Sequence, residues 1–332
     1  MPSTAYGDIS QRTAAWAATE MLSHAEPILV LSKFGQSKPL PKNKADTVKF
    51  RRPVPFANVT VPLSEGVTPS AQQMAYEDVT VQIKQWGAWV EITDVVNDLA
   101  EDPVLSDAST LCGEQAAETI EYQTWGAIRA GTNVFYANGS TRGAVDSVYT
   151  LAKQRAVTRS LKGNRAKKVT SMVSASPNYA TEPVDAAFIA FAHTDLEADI
   201  RDLPGFTPTE KYGSMKALPY EIGKVEDVRY ILSPVLDSFA DAGGTASTNG
   251  VISTTGTNAD VYPIVIVGKE AYGLIPLKGA GAIEPKVLNP GVPRGGDQLG
   301  QRGSVGWKAY YVAKILNEGW MARIETCASN LA

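Results

Sequence analysis

The chain has 332 residues, of which 44% are hydrophobic and 20% charged, a composition that can bury a core and excludes wholesale disorder. At roughly 100 to 200 residues per domain, this length predicts about two domains. A formal net charge of -4 argues against a dedicated nucleic-acid reader, whose binding face needs a basic excess to neutralise phosphates.

From Asp8 to Glu26 the pattern is helical, with Ala14, Ala18, Met21, Leu22 and Ala25 at three- and four-residue spacing, Asp8 or Ser10 as cap, and Pro27 as terminator. Lys38-Pro39-Leu40-Pro41-Lys42-Asn43-Lys44 reads as an extended, solvated arm, because proline fixes its own φ and disfavours helix in the residue before it. Val48 and Phe50, then Val79, Val81 and Ile83, alternate with polar residues. That period of two predicts a long two-stranded hairpin. Its connection, with Pro53, Pro55, Pro62, Gly66 and Pro69, is far longer than a compact hairpin needs, and loops of that kind usually serve a function or cover a partner. After Ile83 the alternation shifts phase to Trp86, Ala88, Val90 and Ile92, which predicts a bulge or twist.

Pro103 opens a helix expected to run from Val104 to about Ala130, with Leu105, Ala108, Leu111, Cys112, Gln115, Ala116, Thr119, Ile120 and Ile128 on its stripe and Gly131 as its stop. At 1.5 Å per residue it would be a spine of about 40 Å. A second helix is expected from about Ser147 to Leu161. Short strands and helices follow at 187–192, 195–203, 224–232, 261–267 and 269–277, so the class is mixed α and β. The segment from Asp241 to Asn258, rich in glycine, serine and threonine, reads as an exposed excursion with too little apolar content to pack. Gly306 to Ile315 and Trp320 to Glu325 read as two strands joined in a hairpin around Asn317-Glu318-Gly319.

Charge is distributed in blocks. Lys33, Lys38, Lys42, Lys44, Lys49, Arg51 and Arg52 face only Asp46, whereas Glu91 to Glu121 holds nine acidic residues and no lysine or arginine. A second basic run comprises Lys153, Arg155, Arg159, Lys162, Arg165, Lys167 and Lys168. Such blocks form solvated faces, or they meet oppositely charged blocks within a chain or between copies and orient association.

Catalytic and cofactor motifs are not evident. The glycines at Gly279, Gly281 and from Gly291 to Gly306 lack the spacing of a phosphate loop, and there is no GxSxG nucleophile elbow. Of the two histidines, His24 lies on the first helix, and His193 precedes Thr194 and Asp195 at a strand end, where helix capping is its expected role. Asp195, Glu197, Asp199 and Asp202 spread around several helix faces and read as solvated carboxylates rather than a metal site. Cys112 and Cys327, far apart and without CxxC spacing, imply neither zinc nor a disulfide framework and suit a reducing cytoplasm. The sequons at Asn58 and Asn138 read as chance. Runs such as Ile264 to Val267 fall far short of the roughly 20 residues that span a bilayer, and Met1 to Ser10 has no basic-then-apolar leader, so no membrane partner or secretion is expected. Trp86, Trp89, Trp125, Trp307 and Trp320 are expected in core or subunit-interface packing.

Several phrases in order, "LSKFGQSKPLPKNKADTVKFRR" at 31–52, "PLSEGVTPS" at 62–70, "VEITDVVNDLAEDPVL" at 90–105, "GEQAAETI" at 113–120, "AGTNVFYA" at 130–137, "DIRDLPGFTPTEKY" at 199–212 and "LGQRGSVGWKAYYVAKILNEGWMARIE" at 299–325, resemble the major capsid proteins of tailed phages related to the N-four head-protein family, which have the Hong Kong 97 capsid fold. The resemblance covers nearly the whole chain. It implies an α+β fold with an amino-terminal arm at 1–45, an extended-loop hairpin at 46–92, a peripheral domain with the spine helix at 93–163 plus 301–332, and an axial domain at 164–300. It further implies a non-enzymatic shell subunit that assembles with itself into pentamers and hexamers of an icosahedral virion head, in the host bacterial cytoplasm, around double-stranded DNA contacted without sequence specificity.

A portal is an implied partner. So is a separate scaffolding protein, since the chain lacks the long amino-terminal extension that serves some relatives as a built-in scaffold. No cofactor is implied. Lys49 and Asn58 are available for an inter-subunit cross-link of the kind some shells of this fold carry, but no motif places that pair and none is assumed. Arg51 and Arg52, with Lys49 beside them, are the candidate subunit-interface residues, expected to meet carboxylates of a neighbouring copy. The rival readings are a cytoplasmic hydrolase using His193, and a capsid decoration protein or adhesin.

Overall fold

The computed structural model describes residue 21 and residues 29–41, 43, 45–63, 65–95, 104–173, 181–213, 216–246, 250–276, 283–288, 290 and 295–331. Most of the helix expected over 8–26, together with His24, Pro103 and the glycines at 279 and 281, lies outside them.

In chain order the strands are β1 (Gln36–Ser37), β2 (Thr47–Pro53), β3 (Tyr76–Gln82), β4 (Lys84–Thr93), β5 (Val134–Tyr136), β6 (Val169–Val173), β7 (Thr181–Ala192), β8 (Thr207–Pro208), β9 (Glu221–Val225), β10 (Val228–Leu232), β11 (Tyr262–Val267), β12 (Tyr272–Pro276), β13 (Glu284–Leu288), β14 (Arg302–Ile315) and β15 (Met321–Thr326). The helices are α1 (Val104–Ile128), α2 (Leu151–Gly163) and the short α3 (Glu197–Arg201). The expected hairpin is β2–β3, in the register that pairs Val48 with Val81 and Phe50 with Val79. The phase shift is the break between β3 and β4 at Ile83, whose N–H donates to the Asp46 carbonyl at 3.0 Å.

A five-stranded sheet is built around β14, with β4 along one side and β13 and β12 in succession along the other, β1 extending it beyond β12. Alternation along β14 sends Val305, Trp307, Ala309, Tyr311 and Ala313 into the main core, where α1 contributes Ala116, Ala117, Ile120, Trp125 and Ile128. The opposite face of β14 is treated below.

The eight-stranded sheet runs β5-β15-β11-β7-β10-β9-β8, with β6 on β7. Ile189, Phe191, Ile231, Val265 and Val267 point into the main core. Their alternates Phe188, Ala190, Tyr230, Ile264 and Ile266 point into a second core closed by Val157 and Leu161 of α2 and by Leu196 and Ile200. A sheet covered on both faces explains why β11 reads as a continuous apolar run rather than an alternating one.

Four expectations are corrected. The strands β14 and β15 do not form a hairpin: β15 crosses to the other sheet, between β11 and β5, because all six of its residues are buried and need cover on both faces. The segment over 224–232 is not one element but two strands around a turn at Glu226 and Asp227. On α1, Leu111 is exposed, while Ser109, Gly113, Glu121 and Thr124 occupy the buried stripe.

Finally, the segment over 241–258 packs. Ala246 and Val251 join Val145, Ala259, Val261 and Cys327 in a small core. Asp241 accepts from the Thr255 hydroxyl at 2.7 Å, and Asp260 accepts from the Asp241 N–H and the Thr254 hydroxyl, each at 2.8 Å. Hydrogen bonds to two carboxylates thus order what apolar content alone would not.

The two sheets also divide the chain differently from the four parts implied by the resemblance. α2 and β15 serve the eight-stranded sheet, while β12 and β13 serve the five-stranded one.

Candidate assembly surfaces

The arm is locked to the spine by a buried carboxyl group. Leu31 opens a turn of 3-10 helix over Leu31–Lys33, and Glu121 of α1 accepts the backbone N–H of Leu31 at 2.9 Å and that of Val30. The Tyr272 hydroxyl donates to the Leu31 carbonyl at 2.5 Å. Burial pushes the Glu121 carboxyl up to about 8, against the opposing pull of the Val30 and Leu31 amides and of Lys33. Sequence reading placed Glu121 in a solvated acidic block. The available signal was its spacing, four after Ala117 and three before Thr124, which sets it on the buried stripe. Beyond the turn, β1 pairs in parallel with β12, and the amides of Lys38 and Leu40 donate to Leu274 and Pro276 at 3.0 and 2.9 Å.

Val48, Phe50 and Val81 at the hairpin's root pack with Leu40 and Ile275. The candidate interface residues follow. Arg51 forms a bidentate pair with Asp78, 2.7 and 2.9 Å, and Arg52 pairs with Glu77 at 2.6 Å, each bridging directly opposite residues of β2 and β3. The Arg51 guanidinium holds the Asp78 carboxyl below the usual range. Lys49 lies on the same strand, its carbonyl accepting from Lys38 Nζ at 2.6 Å. Within one chain, then, the arginines meet carboxylates of their own hairpin and not those over 91–121. Both stay accessible, with side chains 60% and 43% exposed. The second basic run meets the β9–β10 turn, Arg155 on Glu226 at 2.5 Å and Lys162 and Lys168 on Asp227 at 2.6 and 2.9 Å.

The connection between β2 and β3 is apolar and bare: Phe56, Val59, Val61, Leu63, Val67 and Met74 are all exposed. Of the tryptophans, Trp125 and Trp307 are buried, whereas Trp89 is 66% exposed. Trp320 was expected in the core. It is only half-buried, its indole N–H donating to the Asn164 carbonyl at 3.2 Å, because the crossing from β14 to β15 turns it toward the rim. Trp89 borders an open trough of about 420 Å3 on the sheet face opposite α1, with Gly87, Gly306, Lys286 and Lys308 among its lining.

Nothing here is built for bond chemistry. His193 Nδ1 accepts the Asp195 N–H at 3.1 Å, the expected cap. The neighbouring acids are spent separately, Asp195 on the Tyr262 hydroxyl, Glu197 on Arg201 and Asp199 on Ser329. Cys112 and Cys327 are buried, and desolvation pushes the Cys327 thiol up to about 12, away from the reactive thiolate. Among the described residues no group of three or more His, Cys, Asp or Glu could hold a metal ion, and no helix is long and apolar enough to cross a membrane.

A family model described as phage capsid protein matches residues 76–324. No curated protein matches the sequence. Among solved structures, the chain is similar to the capsid of Ralstonia phage GP4, with a TM-score of 0.64, 11% identity and 91% of each chain covered. It is similar to the capsid of cyanophage Pam1, with a TM-score of 0.60, 16% identity, and 99% of this chain and 96% of the other covered. The head structure of Helicobacter pylori bacteriophage KHP40 gives a TM-score of 0.55 at 10% identity, over 99% and 95% of the two chains. At such identities the likeness is one of fold.

Proposed function

The chain belongs to the phage capsid protein family, a structural and non-enzymatic major capsid protein of a phage head, and from that premise we propose how it builds its shell. Copies associate as pentamers and hexamers of an icosahedral head, and the fold is of the Hong Kong 97 type in the lineage of the N-four head proteins. The single observation that carries this reading is the connection over 54–75, a long apolar segment exposed along its length on a hairpin rooted in a packed core. Large exposed apolar surface is costly in a free monomer and marks an interaction site. A shell in which each copy drapes that segment over its neighbour covers it.

The arm, the extended hairpin, a peripheral domain holding α1 and an axial domain are the parts of this reading. Lys49, Arg51 and Arg52 are its interface residues, offering their exposed outer edges to a neighbour while their inner edges hold the hairpin. A scaffolding protein, a portal and double-stranded DNA are the further partners, and assembly takes place in the host bacterial cytoplasm. Contacts that are individually modest add through multivalency.

Negative-stain microscopy and sedimentation of the expressed full chain test the proposal. Closed shells or their pentameric and hexameric capsomers are expected. A protein that stays monomeric at high concentration, alone and with its phage's scaffolding protein, would overturn it.

A further inference from the structure

The face of the five-stranded sheet turned away from α1 is covered at one end and open at the other. At the β12 end, the chain's own hairpin root lies on it, with Phe50 and Val81 against Ile275 and Val312, a directly opposite pair of β12 and β14. Six residues back along β14, about 20 Å at strand rise, Gly306 stands opposite Trp89 of β4 on one side and Lys286 of β13 on the other. Strand alternation puts these three on the same face as Val312. Lys308, two residues on and opposite Gly87, shares it.

The open end is shaped to receive a chain. Gly306 and Gly87 leave its floor without side chains, and glycine inside a strand marks a place where another backbone approaches closely. A Cβ on Gly306 would stand 2.7 Å from the Cβ of Trp89, and one on Gly87 would stand 2.8 Å from the Trp307 carbonyl. Trp89 forms one wall, 66% exposed, and Lys286 the other, its side chain 59% exposed. An aromatic wall with no cover in its own chain is an unfilled contact.

We propose that this trough receives the β2–β3 connection of a second copy of the chain, with the edge formed by Val59, Val61 and Leu63 lying over Gly306 between Trp89 and Lys286. The occupant follows from three observations. Val59, Val61 and Leu63 alternate with Asn58, Thr60 and Pro62, so an extended segment presents all three on one side, and they are 77%, 73% and 74% exposed in their own chain. The only charge in the segment over 54–75 is Glu65, opposite in sign to Lys286 and Lys308. The trough also continues the surface that the chain's own hairpin root already covers, so root and incoming connection together would cover one sheet face. This deepens the shell reading and rests on it.

Cysteine cross-linking tests the contact, and the native thiols, Cys112 and Cys327, are buried and silent. Assembled particles of the double variant Val61→Cys with Lys286→Cys should give a ladder of covalent oligomers on a non-reducing gel, collapsing with reductant. Val61→Cys with Tyr122→Cys, whose second site lies on the exposed side of α1, should give none. Trp89→Ala should leave the subunit's melting temperature unchanged and lower particle yield about tenfold, as loss of a central aromatic anchor does. Particles without a ladder, a ladder equal to the control's, or bands containing a different virion protein would each overturn the proposal. If the unmodified chain forms no shells or capsomers, the shell reading itself fails, and this contact with it.

Discussion

Glu121 Oε1 accepts the backbone N–H of Leu31 at 2.9 Å across ninety positions of sequence, so the middle of the spine helix holds the turn that ends the arm. Tyr272 grips the same turn from the carbonyl side. One buried carboxyl group therefore joins three distant parts of the chain, and its protonation bears on whether the arm stays down.

The pH dependence follows from burial. The folded carboxyl sits at about 8 against an ordinary 4.5, so the neutral form is the one folding favours. Its contribution is complete below about 4.5 and is lost as pH rises toward and through 8. Glu121→Gln keeps an acceptor for the Leu31 amide without the charge. Its melting temperature minus that of the unmodified chain should grow steadily from pH 5 to pH 9, and a difference constant across that range would show that Glu121 does not titrate there.

Trp307 and Trp320 bracket the crossing from one sheet to the other and should respond differently. Trp307 is 4% exposed in the main core, with its indole N–H on the Gln115 side chain at 3.1 Å. Truncation to alanine should cost about 3 to 5 kcal/mol, a large part of a domain's stability. The half-buried Trp320 should cost well under half of that. Chemical denaturation of the two variants compares them directly, and equal losses would contradict the packing described.

The segment over 241–258 carries the opposite expectation from its composition. Removing Thr245 to Thr255 takes Ala246 and Val251 out of a core cluster and leaves the Asp241 and Asp260 carboxylates without their hydroxyl donors. Buried polar groups that lose partners are expensive. Thermal unfolding should move down by several degrees, each 1 kcal/mol being about 2 to 4 °C for a chain this long. An unchanged transition would return the segment to the status of a free loop.

What the sequence made legible was whatever depends on local periodicity. The β2–β3 register could be read from Val48, Phe50, Val79 and Val81, and the length of α1 from its stripe. Partner choice between distant strands could not, because the alternation in β14 and the apolar run in β15 look the same whether the two pair or part. Nor could the order in 241–258, which depends on where Asp241 and Asp260 find hydroxyls rather than on apolar content. Among the candidate interface residues, position on the hairpin was legible, but the nearest carboxylates were not. Asp78 and Glu77 were passed over because they lie outside the acidic block, although cross-strand pairing of β2 with β3 sets them directly opposite Arg51 and Arg52.

That pairing gives the charge hypothesis its sharpest test. Arg51→Glu with Arg52→Glu sets like charges opposite each other along the hairpin, so a loss of shells could come from the hairpin or from the neighbour. Adding Asp78→Arg and Glu77→Arg reverses both pairs and restores attraction within the hairpin, but not with carboxylates of an adjacent copy. If the arginines register the hairpin on a neighbour, the fourfold variant should fold with a normal melting temperature and still assemble poorly. Its yield should also respond to salt differently from that of the unmodified chain, because exposed pairs are screened. Sedimentation across a salt series reads both quantities. Full recovery of particles in the fourfold variant would assign Arg51 and Arg52 to the hairpin alone, and their place among the inter-subunit contacts would fall.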